Sequence, residues 1–490
     1  MEKKILDSVV HQARTIKTLE SVLDLITWDQ ETLMPPAGST HRGEQRALLS
    51  GMIHLQRNDP TFSKNVFTLR EQAIGADDGS IIIKRLAHDL EKAHKLPVQF
   101  VETFSKVTSD GFCAWSKARE ADNFAAFQPH LERIVDLIKQ KCELLGYEAH
   151  PYNALIDLYE PEMTVGELDT FFSSLKPKLK SLLRAIPASP RSTPLPSTLP
   201  QQLAVCRSLV TTIGFDWTGG RMDTSDHPFS SGIHSTDTRI TVRRHSADIL
   251  DQAMSALHEA GHAFYESGLP VEQYGTPLAE AASYATHESQ SRFWETVIGR
   301  SRSFTPHVMS ALTEALGRIS RTEEELYREI NHVGSSFIRT EADEVTYPLH
   351  IILRYEIEKE LLTGSLAVKE VPERWNSLME DLLGIRPKTN REGCLQDVHW
   401  AFGNIGYFPT YTLGSLYAIA YYKAMERSIP NLDWCVRAGQ FEKIRSWLKE
   451  NVWQHGRRYL GKELVTRALG RPPTDDDYIA YLEHKFISES

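Results

Sequence analysis

The sequence predicts a nearly all-α protein with one small β-sheet placed just before the helix that carries its chemistry. Helical apolar periodicity runs through most of the 490 residues. A single stretch, 237–244, alternates β-branched and polar residues as a half-buried strand does. Loops rich in Pro, Gly, Asp or Asn break the periodic runs from one another.

Residues 1–27 place Ile5, Val9, Leu19, Val22, Leu23 and Ile26 on one side of a helix, and helical patterns continue over 40–57, 80–95, 97–120 and 126–145. Met34-Pro35-Pro36-Ala37-Gly38 is a separator of the expected kind. Four prolines fall between 190 and 200, so this stretch can be neither a regular helix nor an inner strand and reads as a connector. The strand at 237–244 has its candidate partner in the turn-rich segment Thr218–Gly232. A helix then follows, with Ser246 as expected N-cap, Ile249, Ala253, Ala256 and Leu257 at helical spacing, and Gly268 before Pro270 as its close. The next helix is expected over about 277–299, and helices continue to 474–488. Pro348 lies inside a helical pattern and is expected to kink it. The reading is a single catalytic domain, 1–490: a helical part to about 186, a connector 187–200, a core about 201–425 and C-terminal helices 426–490.

Bulk composition narrows the classes. Charged residues at 24% and hydrophobic residues at 41% are ordinary for a globular protein. A net charge of −10 without a basic tract disfavours nonspecific nucleic-acid binding. Cys113, Cys142, Cys206, Cys394 and Cys435 are dispersed and odd in number, which fits reduced thiols and no disulfide framework. No apolar leader opens the chain and no stretch approaches a membrane span, so a cytoplasmic protein is expected.

His258-Glu259-Ala260-Gly261-His262 is the stretch richest in chemistry. Residues four apart on a helix share a face, so His258 and His262 can grip one metal ion. Glu259 can reach a water acidified by that metal and take its proton, the layout of a zinc peptidase. The bland alternative is two unrelated histidines beside an ordinary helix glutamate. Gly261 forms helix poorly, and its place between the histidines suggests that something packs closely there.

Catalytic zinc sites use three protein ligands. The following helix offers Glu280, Glu288 and Glu295, while Glu266 on the metal helix points along the axis and away from the ion. Glu288 and Glu280 share a face; Glu280 near a helix start can simply serve the helix dipole. Glu288, in the polar run His287-Glu288-Ser289-Gln290, is favoured, with Glu280 or a more distant residue as alternatives.

Six motifs in order resemble the carboxypeptidase Taq family of zinc metallocarboxypeptidases. They are His227-Pro228-Phe229, Asp237-x-Arg239-x-Thr241, the His258–His262 motif, His287-Glu288-Ser289-Gln290, Ile338-Arg339-x-x-Ala342-Asp343 and Gly393-x-x-Gln396-Asp397-x-His399-Trp400. The likeness extends outward to Trp28-Asp29-Gln30 and to Gly406–Gly414. It implies that His258, His262 and Glu288 bind zinc, which cobalt can replace, and that Glu259 is general base and proton shuttle. It also implies a helical clamp like neurolysin and angiotensin-converting enzyme, with a deep substrate groove. A homodimer is implied too, removing single C-terminal residues from peptides with broad preference and poor tolerance of proline.

A free C-terminal carboxylate calls for a guanidinium, and Arg339 is the leading candidate, either oriented by Asp343 or merely paired with it. Arg239 competes, alternating with Asp237 on a strand that can offer an edge to an extended peptide. His399, Tyr407 and Tyr411 are candidate oxyanion donors, or else aromatic packing. Gln396 can bind substrate or fix His399, and His287 can orient a neighbour or touch substrate. The rivals are an oligoendopeptidase or dipeptidyl carboxypeptidase on the same scaffold, and a peptide-binding scaffold without catalysis.

Overall fold

The computed structural model describes residues 2–73, 75–187 and 192–488. Part of the proline-rich connector, 188–191, lies outside the described residues. The described residues are mainly helical, with one three-stranded sheet, and they cluster into two compact units. The first unit draws on residues 1–91, 192–330 and 420–472, and the second on 92–191, 331–419 and 473–490. Each unit thus gathers three separate stretches of chain.

Helix boundaries follow the sequence patterns closely: Glu2–Thr32, Ser39–Arg57, Asp78–His94, Val98–Glu120 and Phe124–Leu145. Pro60–Arg70 is a further helix, capped by Asp59, whose side chain accepts from the Thr61 and Phe62 amides. After the connector a helix begins at Leu199, with Thr198 and Gln201 forming a capping box. Pro348 does not kink a helix. It occupies the first turn of Tyr347–Thr363, where its missing N–H has no partner to lose.

In the first unit the sheet consists of β1 (Gly220–Ser225), β2 (Ser230–His234) and β3 (Asp237–Arg243), in the order β1-β3-β2. β3 pairs in parallel with β1 and antiparallel with β2, so both of its edges are taken. Thr241 on β3 accepts the Phe229 amide at 2.9 Å, and the Ser225 hydroxyl donates to it at 2.7 Å. Phe229 meets the buried Trp28 edge to face at 5.1 Å, which ties three of the quoted motifs into one cluster.

The metal helix, Ile249–Gly268, packs against the sheet and is buried on nearly every face. Its N-cap is Asp248, not Ser246. The Asp248 carboxylate accepts the Leu250 amide at 2.8 Å, while the Ser246 hydroxyl donates to the Asp248 carbonyl. Gly261 sits against the backbone of the helix Tyr284–Arg292, and a Cβ there would lie 2.4 Å from the Gln290 carbonyl oxygen. Only glycine allows that approach. The helix expected over 277–299 is three pieces: a 3₁₀ turn Pro277–Ala279, the α-helix Tyr284–Arg292 and a π-wound turn Phe293–Gly299.

The second unit is organised around the buried helix Tyr347–Thr363. Glu358 is fully buried there and accepts from Tyr152 Oη at 2.8 Å, Trp400 Nε1 at 2.8 Å and the Gly406 amide at 3.1 Å. Gly406 has φ +93°, and a Cβ on it would meet Leu155. Burial pushes the Glu358 carboxyl up to about 7, against the pull of those donors. The folded state therefore keeps a proton that the unfolded chain releases above its ordinary 4.5. That contribution is full below the unfolded value and is lost as pH rises through the folded one, a span of about 3 kcal/mol. Glu358→Gln has no proton to lose, but its amide confronts one of the three donors at a cost of about 1–3 kcal/mol. The variant should be less stable than wild type at pH 5, with the gap closing towards pH 8. Denaturant unfolding across that range checks this; a constant gap would contradict it.

All five cysteines are free, and burial pushes Cys142, Cys206 and Cys394 up to about 12, so these three are inert thiols. Among the described residues no helix is long and apolar enough to cross a membrane.

Candidate functional site

His258 and His262 project from one face of the metal helix, their ring centroids 4.9 Å apart. The helix Tyr284–Arg292 lies against that face and brings Glu288 to both. Glu288 Oε2 is 3.6 Å from His262 Nε2 and 3.9 Å from His258 Nε2. One ligand atom from each of the three residues lies within 4.8 Å of the others. Zinc–ligand bonds near 2.0–2.2 Å at tetrahedral angles separate ligand atoms by about 3.3 Å. Small side-chain shifts bring these three to that spacing, and two imidazoles with one carboxylate suit a catalytic zinc ion. The donor set fits the metal.

Glu280, the alternative ligand, is elsewhere: its carboxylate pairs with Arg457 at 2.9 Å. The Glu266 carboxylate accepts from His287 Nε2 at 2.8 Å, and the His287 ring stacks on His262 at 4.5 Å.

Glu259 is 6% exposed. Burial, with Glu288 and Glu295 nearby, pushes its carboxyl up to about 7 against the pull of His258. Burial, with His287 and His258 adding to it, holds His262 well below its ordinary value, so the ring is neutral and able to ligate.

Glu295, grouped with the other glutamates by sequence and given no role, bonds His258 Nδ1 at 2.9 Å. Arg292 donates to Glu288 Oε1 at 2.9 Å and to Glu295 Oε2 at 3.3 Å. Arg300 donates to Glu295 Oε1 at 3.2 Å. The available signal was spacing: Glu288, Arg292 and Glu295 are four and then three residues apart on one helical face.

On β3, Arg239 forms a two-point ion pair with Asp237, 2.7 and 2.8 Å. Its strand is the middle one, so the expected pairing of a peptide along a β3 edge has no edge to use.

In the second unit, Arg339 lies in a 3₁₀ turn, Arg339–Glu341, so Asp343 is not one helical turn away on the same face. Asp343 instead accepts the Val345 and Thr346 amides. The partner of Arg339 is Asp397, reached by Nη2 at 2.8 Å and Nε at 3.2 Å, while Nη1 donates to Tyr347 Oη at 3.0 Å. Arg354 donates to the other Asp397 oxygen at 2.7 Å. Burial opposes the Asp397 charge, but the two guanidinium groups hold the carboxyl well below the usual range.

Gln396 spends its amide within this cluster, donating to the Phe337, Glu392 and Gly393 carbonyls and accepting from the Arg339 amide and Arg354. These bonds hold it against both arginines. His399 Nε2 lies 3.2 Å from Tyr411 Oη, and Tyr407 packs beside both, tilted against His399 at 5.6 Å and edge to face with Tyr411 at 5.3 Å. Burial lowers His399 to about 4, so its ring is neutral near pH 7. Sequence reading missed Arg354 and Tyr347; neither sits in a motif, and only the fold brings them to Asp397.

The family model for carboxypeptidase Taq (M32) metallopeptidases matches residues 8–486. Thermostable carboxypeptidase 1 of Pyrococcus furiosus is 35% identical over 99% of both chains. Thermostable carboxypeptidase 1 of Thermus thermophilus is 36% identical over 96% of both. The crystal structure of the M32 carboxypeptidase from Deinococcus radiodurans R1 is similar with a TM-score of 0.95, at 34% identity and 99% coverage of each chain.

Proposed function

Since the chain belongs to the carboxypeptidase Taq (M32) metallopeptidases and is a metal-dependent carboxypeptidase of peptides, we propose that it releases single C-terminal residues with zinc held by His258, His262 and Glu288. The observation that carries this is the convergence of both imidazole Nε2 atoms on Glu288 Oε2, with the buried Glu259 next in the chain. Zinc bound there supplies a Lewis acid for the scissile carbonyl and acidifies a water. Glu259 takes the proton of that water and returns it to the leaving amine. A carboxyl raised by burial suits both transfers.

Arg339 is the proposed receptor for the substrate carboxylate. Asp397 engages the side of its guanidinium, while the second N–H of each Nη forms the end that a carboxylate grips with two bonds. Tyr407, with His399 and Tyr411, supplies the proposed donors for the oxyanion. The family resemblance further supports a cytoplasmic homodimer with broad preference and poor acceptance of proline.

Chelation should abolish activity, and zinc or cobalt should restore it. On a peptide set followed by mass spectrometry, the restored enzyme should shorten free C-termini one residue at a time and leave amidated peptides intact. Cleavage of the amidated peptides would favour an oligoendopeptidase, release of residue pairs a dipeptidyl carboxypeptidase. Failure of metal to restore turnover would favour a binding scaffold.

A further inference from the structure

We propose that Glu295 is a positioning residue for the metal centre, held by Arg292 and Arg300 so that His258 and Glu288 are oriented before the ion arrives. This inference rests on the metal site proposed above. Its basis is which atoms are occupied. Glu295 Oε2 lies 2.9 Å from His258 Nδ1. That contact makes Nδ1 the protonated nitrogen and leaves the Nε2 lone pair facing Glu288 and His262. Arg292 Nε takes Glu288 Oε1 at 2.9 Å, which leaves Oε2 as the oxygen turned towards both imidazoles.

One guanidinium therefore joins a ligand carboxylate to the carboxylate behind the other ligand. Arg300 secures the far oxygen of Glu295 at 3.2 Å and is itself anchored on the Ile330 carbonyl at 2.8 Å. The backbone is shaped to match. Glu295 lies in the π-wound turn Phe293–Gly299, a rare winding that recurs at functional sites. Gly299 closes that turn against the metal helix, where a Cβ would come within 2.7 Å of Leu257. A simple ion network would need two arginines and a carboxylate, but not the aim of that carboxylate at the back of a ligand imidazole.

The test compares wild type, Glu295→Gln, Glu295→Asp and Arg300→Gln as apoproteins. Zinc Kd is measured by competition with a chromophoric chelator, and Tm is measured without metal. Glu295→Gln and Glu295→Asp should weaken zinc by about ten- to a hundredfold. Glu295→Asp keeps a negative charge opposite both arginines but withdraws it from His258, so its apoprotein should melt near wild type. Arg300→Gln should lower the apo Tm and weaken zinc less than either Glu295 variant. Zinc affinity within twofold of wild type in both Glu295 variants would overturn the proposal. If wild type itself binds no zinc, the underlying metal reading falls, an outcome readily told apart from the first.

Discussion

Replacing Glu259 with glutamine should lower kcat by about 10²–10⁴-fold while zinc content stays at the wild-type level. Glutamine keeps the volume of the side chain, which matters because the metal helix is buried on nearly every face. It removes the one property the mechanism requires, a lone pair able to accept and return a proton. The neighbouring carboxylates, Glu288 and Glu295, are engaged by Arg292, so neither is placed to take over. The loss of a negative charge beside the site also weakens attraction for a cation, so turnover must be compared at saturating zinc with metal content measured on the same samples. A variant that binds zinc fully and keeps more than about a tenth of wild-type turnover would remove Glu259 from the role of base.

What could be read from the sequence divides along the range of the interactions. The grip of His258 and His262 depends on one helical turn, so spacing alone reveals it. The tight approach at Gly261 was also legible, because a glycine inside a helix needs a reason. The cap was placed two residues early because Ser246 and Asp248 are both good capping residues. Asp248 is the cap by its extended conformation, φ −130° and ψ 124°, and by its bond from the Leu250 amide. Arg339 shows the harder case. Its spacing to Asp343 suggested a helical pair, but the chain there makes a 3₁₀ turn and the true partner is Asp397, 58 residues away. Nothing local announces such a pairing. The strand at 237–244 was likewise correct in kind, while its central place in the sheet depends on β1 and β2 folding onto both edges. Glu295 stood between these extremes: its helical face was readable, its partner was not.

The second large effect is expected at Arg339, through Arg339→Lys. Arg339 is 6% exposed, and the Tyr411 ring centroid lies 5.0 Å from its guanidinium carbon. In that sheltered setting a two-point contact with a carboxylate is worth more than at an open surface. Lysine keeps the positive charge opposite Asp397, which Arg354 also neutralises, so the cluster is not left with an unpaired buried anion. What lysine cannot keep is the planar fork, which serves Asp397 with one side and, in the proposed role, a substrate carboxylate with its end. Losing the fork should cost about 2–3 kcal/mol, roughly a 30- to 160-fold fall in kcat/KM on peptides with a free C-terminus. The fall should appear mainly in KM, since the carboxylate is bound before and during the reaction alike. On the same peptides kcat and Tm should stay near wild type, so the loss tracks weaker binding of the chain end. A purely structural arginine would behave differently: Tm would drop and kcat would fall with it. The split between KM and kcat, read beside Tm, therefore decides whether Arg339 reads the chain end or only braces Asp397.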